Sequence, residues 1–483
     1  MSGKGEKEFV KEITPRSEDY SQWYIDVILK AELMDYAPIK GCMVIRPYGY
    51  TIWENVQSRL DKRIKDTGHS NAYFPLFIPQ ELLQQEAEHV EGFAPEVAWV
   101  TRGGQEELAE PLAIRPTSEA IICSMYSRWI QSWRDLPVLV NQWANVVRWE
   151  KSTRPFLRTS EFLWQEGHTC HRTEEEAEEE VLKMLNEYKE FIEQDMAIPV
   201  LTGQKSEKEK FAGALRTYTV EALMSDGRAL QSGTSHNLGQ HFARVFDITY
   251  LDQDDELKYV WQTSWGVSTR LIGALIMVHG DDRGLVIPPR IAPTQLVIVP
   301  ILTKKAREEV MQKTGELKDE LKGLARLHVD DRDGYSAGWK FNEWEMKGVP
   351  LRLELGPKDL EKEQVMAVRR DNGEKEEIPL SRITQRVPEL LEEIQSELLE
   401  KSRLFMEENT CYMEDYEEFK KHIEEKRGYV QTPWCGSGEC EEGIKDDTRA
   451  TIRCIYNWEV GEDKRCLYCG KEASCEVYLA RAY

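Results

Sequence analysis

Residues 141–172, NQWANVVRWEKSTRPFLRTSEFLWQEGHTCHR, concentrate groups that could hold a charged ligand. Val146, Val147 and Trp149 favour extended chain, Pro155 breaks a basic segment, and Phe162 to Trp164 begin a second extended run. The stretch therefore predicts two β-strands joined by a basic loop. Alternate residues of a strand share a face, which groups Arg148 with Glu150 on the first and Phe162, Trp164 and Glu166 on the second. A cation, two carboxylates and two aromatic rings on one sheet face make a poor core and a suitable binding floor. A half-exposed, salt-bridged hairpin satisfies the same pattern, and the stretch alone leaves both readings open.

Three other strings carry related groups. In RPTSE, residues 115–119, the free N–H groups of a helix start, the Thr117 hydroxyl and the Glu119 carboxylate could bind a small polar ligand. An ordinary N-cap with an acid in its first turn is the competing reading. GRALQSGTSHNLG places Gln231, Thr234 and His236 beside Gly233, where a ligand or a second backbone can come close. In WQTSWGVSTR a strand through Trp261 and Trp265 turns at Gly266 into an apolar helix starting near Ser268. Arg270 then lies in its first turn, where a cation opposes the positive helix end and requires an anion.

Of ten cysteines, Cys42, Cys123 and Cys170 are scattered and read as idle thiols, while seven fall after residue 410. That asymmetry fits a reducing compartment with one local metal site better than a disulfide framework. Cys435-x4-Cys440 and Cys466-x2-Cys469 can close a tetrahedral four-thiolate zinc site, with Cys411, Cys454 and Cys475 as spare candidates. Four thiolates leave no open position, so the metal would be structural, a staple for a small core.

The elements that must position these groups follow from periodicity. Amphipathic helices are predicted over 19–35 and 50–65, a strand over 72–78 broken by Pro75, and a glycine-turned hairpin leading into a helix opening near Pro116 and Thr117. Residues 173–195 form a helix whose stripe is Val181, Met184, Leu185, Tyr188 and Ile192 and whose glutamates read as a solvated face. From Pro288 strands (TQLVIVPIL, 327–329, 351–355) alternate with helices (304–324, 337–347), the mark of a compact α/β unit. A helix over 390–406 leads into the cysteine-rich segment.

A chain of 483 residues suggests about three domains. Its net charge of −23 excludes a generic polyanion binder and leaves nucleic acid only local basic patches. The charged N-terminus is neither a signal peptide nor a membrane span, so a soluble, cytoplasmic protein with no membrane partner is expected.

The segment ending at Pro75, the RWE strand returning through RTSEFLWQE, and the glycine turn into the helix of Arg270 resemble, in that order, the three signature motifs of class II aminoacyl-tRNA synthetases. RPTSE, FLWQEGH and GTSHNLG narrow the resemblance to the prolyl-tRNA synthetase family, and the cysteine module resembles the C-terminal zinc domain of its archaeal and eukaryotic form. The resemblance covers the chain from about residue 18. It implies an α/β (α+β) architecture: a tail (1–18), an antiparallel-sheet catalytic domain (19–287), a mixed α/β anticodon-binding domain (288–398) and a zinc-binding α+β domain (399–483).

The implied activity is a ligase, joining L-proline to its tRNA through a prolyl-adenylate made from ATP with Mg2+. Arg148 would bridge the proline carboxylate and the α-phosphate, and Arg270 would hold the triphosphate and cover the adenine. Phe162 would stack on the base, with Glu150, Arg158, Thr159, Gln231, Thr234 and Ser268 (and Thr269 a weaker match) around the nucleotide. Thr117 and Glu119 would take the proline ammonium, with Trp164, Glu166, His168 and His236 lining the ring pocket and His168 beyond the strand's end. Lys340, Glu345, Arg352 and Lys358 are positioned for anticodon contacts, and the Tyr483 carboxylate would approach the active site. Homodimerisation is implied by the first motif and Pro75. About a hundred residues between the second and third motifs are too few for an editing insertion, so misactivated alanine or cysteine would go uncorrected in cis. The alternatives are another class II synthetase, one for threonine or histidine for example, a paralogue that does not charge tRNA, and a catalytically inactive regulatory relative.

Overall fold

The computed structural model describes residues 13–89 and 97–483. The segments that sequence alternation marks as strands assemble into one sheet: β1 (Ser70–Asn71), β2 (Val138–Val147), β3 (Glu161–His171), β4 (Val200–Gln204), β5 (Arg216–Leu223), β6 (Ala229–Gly239) and β7 (Trp261–Ser268). Their order is β4-β5-β6-β7-β3-β2-β1, antiparallel except for the β1–β2 edge. Helix α1 (Glu119–Trp129) packs against the central strands, its Tyr126 hydroxyl donating to His168 O and its Cys123 accepting from Gln262; α2 (Glu174–Gln194) lies across β6 and β7, and α3 (Arg270–His279) is buried almost all round.

Helix α2 buries the predicted stripe, and the Tyr188 hydroxyl donates to Gln165 Oε1 at 2.6 Å. Gly167 is required beneath it, because a Cβ there would lie 2.1 Å from the Trp265 indole. With α2 closing that face, the other face of the sheet is left for the site.

Not all of the α2 glutamates form a solvated face. Glu180 is buried, 3.1 Å from His69 Nε2 and 2.7 Å from Lys183 Nζ, and Glu178 accepts from Arg216, Tyr218 and Asn237. Helical periodicity counts apolar positions, so it misses carboxylates that the neighbouring strands neutralise. The predicted 72–78 strand splits into Ser70–Asn71 and Phe77–Pro79 around Pro75, which cannot donate to a ladder. The tail expected over 1–18 is packed from Ile13 onward, with Thr14 donating to Asp26 and Arg16 to Gly280 O.

Past Pro288, β8 (Leu296–Pro300), β9 (Leu327–Val329), β10 (Leu351–Leu355), β11 (Gln364–Arg369) and β12 (Lys375–Pro379) form a mixed sheet in the order β9-β8-β10-β11-β12. Helix α4 (Ile383–Glu408) runs through residue 398, so the expected boundary there falls inside a helix.

The last segment contributes β13 (Thr410–Tyr412), β14 (Tyr429–Trp434), α5 (Gly438–Thr448), β15 (Ala450–Asn457) and β16 (Cys475–Arg481). Ile455 of β15 pairs with Gln204 of β4, which makes one eleven-stranded sheet across both regions. At the junction the Glu221 carboxylate is fully buried between Lys205 Nζ at 3.0 Å and Arg453 Nη2 at 2.8 Å. Removing one partner of a buried cluster strands the remaining charges. Glu221→Gln is expected to destabilise the protein by about 3–5 kcal/mol, read as a lowered thermal midpoint.

Candidate active site

Strand register builds the floor in cross-strand rows. Glu166 of β3 lies opposite Gln142 on β2 and Gly266 on β7, and Gly266 opposite Thr234 on β6. The next row aligns His168, Ser264 and His236, and the one on the other side aligns Trp164 with Ser268. Gly266 sits mid-floor in extended β7, where a Cβ would fall 2.9 Å from Gln165 O, so the strand continues through the position expected to turn and the helix starts at Arg270.

This floor lines a cavity of about 350 Å³, which also contains Thr117, Glu119, Arg148, Phe162, Gln231 and Arg270. A smaller recess of about 50 Å³, sharing Arg148, Phe162, Ser268 and Arg270, adds Glu150, Arg158 and Thr159. Apart from Thr269, which is fully buried and lines neither, the side chains singled out in the sequence for the two substrates therefore converge on two adjoining spaces.

The helix start at RPTSE is not an ordinary cap. Ser118 makes no side-chain cap; its hydroxyl donates to Glu166 Oε1 at 2.5 Å, and the buried Thr117 hydroxyl donates to Glu119 Oε2. Glu119 thus presents a buried carboxylate to the cavity beside a hydroxyl. Glu166 also accepts from Gln142 Nε2 at 2.8 Å and from His168 at 3.1 Å. Burial alone would raise the Glu166 carboxyl and lower the His168 imidazolium, but their mutual contact reverses both, with Ser118 and Gln142 helping Glu166 and Glu119 helping His168. Glu166 is held below its ordinary range and His168 above, so the two form an ion pair. His168 sits inside β3, not beyond its end, because the ladder to β2 runs to Cys170. The neighbouring His236 is neutral: burial, and then the His168 charge, push it down to about 3.

Strand β2 ends at Val147, so Arg148 and Glu150 leave the ladder, although Arg148 N–H still donates to Ser160 O. The Arg148 guanidinium lies over Phe162 at 5.6 Å and Trp164 at 5.4 Å and donates from Nε to Pro116 O at 3.0 Å. Arg270 donates to Leu157 O at 3.2 Å and Gln231 O at 3.3 Å. Among the described residues neither guanidinium has a carboxylate within ion-pair distance. Arg148 is exposed and Arg270 half-buried; desolvation by the surrounding cavity walls, and for Arg270 the charge of Arg148, lowers both from their ordinary values. Glu150 is paired with Arg158 at 2.6 Å, and the Thr159 hydroxyl is turned onto Glu161 O.

Sequence reasoning missed Ser118 and Gln142, which hold Glu166, and Glu209, Phe211 and Thr217, which complete the cavity wall. Gln142 alternates with Ala144 and Val146 on β2, a period-2 signal that was readable, whereas the 205–214 segment carries no periodicity that would place it.

Away from the cavity, the Sγ atoms of Cys435, Cys440, Cys466 and Cys469 lie within 4.8 Å of one another. Four sulfurs about 2.3 Å from one metal sit about 3.8 Å apart; Cys435 is 3.6 Å from Cys440 and 3.7 Å from Cys469, so the set fits a tetrahedral ion. The spare cysteines are elsewhere: Cys454 lies against Gly203 at the sheet junction, Cys475 under Trp434 O, and Cys411 beside His422.

Residues 99–279 match the tRNA synthetase class II core domain of the G, H, P, S and T type, and residues 295–390 match the anticodon binding domain. A six-strand antiparallel floor flanked by two arginines and followed by such a domain defines a class II aminoacyl-tRNA synthetase. Residues 416–483 match the prolyl-tRNA synthetase C-terminal domain. Proline–tRNA ligases of Natranaerobius thermophilus and Alkaliphilus oremlandii are 67% and 62% identical over 99% of this chain and all of theirs. The crystal structure of prolyl-tRNA synthetase from Cryptosporidium parvum, complexed with halofuginone and AMPPNP, is 44% identical with a TM-score of 0.94, covering 98% of this chain and 100% of that one. The chain belongs to the proline–tRNA ligase family.

Because the folded-state pKa of His168 is raised, its ion pair contributes stability that is fully present below the ordinary value of 6.5 and is lost as pH rises through the raised value. Histidine ring resonances will show His168 titrating above 6.5 and His236 silent across the neutral range, and Glu166→Gln will bring His168 down. A wild-type His168 that titrates below 6.5 contradicts the pair.

Proposed function

We propose that this pocket condenses L-proline with ATP to prolyl-adenylate and then passes the prolyl group to the terminal ribose of the proline tRNA. The observation that carries the reading is two arginines lining one cavity without ion pairs, beside the buried carboxylate of Glu119, the charge pattern that fits a zwitterionic amino acid meeting a polyphosphate.

The secondary ammonium of proline donates to Glu119, whose carboxylate the Thr117 hydroxyl steadies by donating to it, a charge pair that fixes orientation. The ring lies against Trp164, Glu166, His168 and His236. A proline carboxylate oxygen forms a bond to the α-phosphorus as the bond to the pyrophosphate oxygen breaks, so pyrophosphate leaves with the electron pair. Arg148, between the two anions, offsets their repulsion and the negative charge that builds on the α-phosphate, and Arg270 holds the leaving phosphates. Phe162 and Arg270 enclose the adenine, with Gln231, Thr234, Ser268, Arg158 and the backbone at Thr159 around the nucleotide. No side chain acts as nucleophile; rate comes from positioning and charge stabilisation. Magnesium would arrive on the nucleotide, since Glu150, the carboxylate of the smaller recess, is already paired with Arg158. Zinc would sit among the four clustered thiolates as a structural ion.

The domain division follows the same reading, with residues 288–398 taking the anticodon. Glu345 and Arg352 line a groove of about 890 Å³ beside Trp339 and Arg370. Lys340 is not available for that role: it is buried and donates to Asp330 O at 2.9 Å. A second copy would dock on the first-motif region, where Tyr36, Ile39, Val44 and Tyr73 are exposed. The Tyr483 ring is fixed behind the basic loop, under Arg154 at 5.1 Å and bonded to Asp226. No helix among the described residues is long and apolar enough to cross a membrane, and we place the enzyme in the cytoplasm.

Proline-dependent ATP–pyrophosphate exchange tests the reading: Arg270→Ala should cut it by about 10²–10³-fold, and Glu119→Gln should raise the proline KM far more than the ATP KM. Absence of proline-dependent exchange in the unaltered enzyme rejects it. Residues 172–260, between β3 and β7, are filled by α2, β4 to β6 and short connections. A pocket closed by shape rejects smaller amino acids by only ~1–3 kcal/mol per missing group, so alanine and cysteine should give exchange above background; values at background for both would refute leakage.

A further inference from the structure

We propose that the C-terminal module positions the wall of the amino-acid pocket, with Glu441 as the positioning residue. The proposal rests on the pocket reading above and deepens it.

Three contacts tie residues 205–208 to the module. Lys205 joins Arg453 on the buried Glu221, the Ser206 hydroxyl donates to the buried Glu441 Oε1 at 2.7 Å, and Lys208 Nζ lies 2.9 Å from Glu442 Oε2. The Lys208 stem runs over Gly438, where a Cβ would fall 2.9 Å from Lys208 Cε. The contacts continue toward the cavity. Ser206 Oγ accepts from the Glu209 N–H at 3.3 Å, and Ser206 O accepts from Lys210 N–H at 2.9 Å, so the next turn is organised on Ser206. Glu209 and Phe211 then line the cavity, with the Phe211 ring 4.9 Å from that of His236.

On the module's side, Glu441 and Glu442 follow Cys440 in the first turns of α5, a helix whose start is fixed by the Ser437 cap and by the clustered thiols of Cys435 and Cys440. Closing that cluster therefore orients two carboxylates onto the segment that ends in the pocket wall. Segment 205–211 carries no regular secondary structure of its own; Thr217 holds its two ends, accepting from Lys205 N–H and Phe211 N–H, and the residues between depend on these anchors.

The test uses the full-length enzyme with Ser206→Ala, Glu441→Ala and Glu441→Gln. Loss of a hydrogen bond to a carboxylate corresponds to about a tenfold effect. Ser206→Ala and Glu441→Ala should speed amide hydrogen exchange at 206–211 in the substrate-free enzyme and raise the proline KM about tenfold at unchanged ATP KM. Glu441→Gln, which keeps an acceptor, should behave as the unaltered enzyme. Ser206→Ala lies outside the module, so it reads the contact even if Glu441→Ala disturbs the metal content. Unchanged amide exchange at 206–211 in Ser206→Ala, or equal rises in both KM values, overturns the proposal. The exchange readout needs no substrate, so its failure is distinct from failure of the pocket assignment, which wild-type pyrophosphate exchange reads.

Discussion

Arg148 and Arg270 face one cavity, Arg148 exposed and Arg270 half-buried, and the charge of Arg148 disfavours that of Arg270. Two like charges held close together in partly desolvated surroundings are costly. Here backbone carbonyls at Pro116, Leu157 and Gln231 and the faces of Phe162 and Trp164 orient the guanidiniums, yet none of these neutralises them. Among the described residues neither has a carboxylate at ion-pair distance, and in the proposed reaction the substrates supply that partner. On that reading the arrangement puts an electrostatic gain where negative charge accumulates as the α-phosphate is attacked, in surroundings that need little reorganisation at that moment.

Holding such cations demands rigidity, and the Glu166 carboxylate provides much of it. It collects Ser118 from the start of α1, Gln142 from β2 and His168 from its own strand, so three segments far apart in sequence meet at one acceptor. Arg115 repeats the device on the other side of the loop, donating to Phe74 O and to both oxygens of Asn145. Between these two anchors Thr117 and Glu119 have little freedom, and a carboxylate aimed at a ligand stays aimed. The neutrality of His236 belongs to the same economy of charge: with His168 already cationic, a second imidazolium would be repelled.

Much of this was legible from residue types at fixed spacing. The hairpin followed from β-branched and aromatic runs around Pro155, the floor from alternation, the four-thiol cluster from two short cysteine loops. What was not legible involves tertiary neutralisation or the end of a ladder. Glu180 and Glu178 look like a solvated helix face until His69 and Arg216 are brought against them. Arg148 and Glu150 share parity with a strand that stops one residue earlier. Lys340 looks exposed by its chemistry, yet its stem is buried and its ammonium bonded to a carbonyl. Ser118 is the sharpest case, since a residue type that predicts a cap instead bonds to Glu166, 48 residues away in sequence.

The chain's overall acidity constrains how it meets RNA. With a net charge of −23, long-range attraction to a polyanion is absent, so recognition must be short-ranged and local. In the groove near Glu345, proposed above for the anticodon, Arg352 lies against Glu354, Arg370 is bidentate on Asp281, and Arg283 pairs with Glu345. Each guanidinium is held in a fixed plane by a carboxylate that also cancels its field at a distance. A nucleic acid gains from such a surface only where its own donors and acceptors match those planes, because an unmatched phosphate meets a neutralised pair. Pre-paired arginines thus trade general affinity for geometric discrimination, which suits an enzyme that must select one tRNA among many of equal charge.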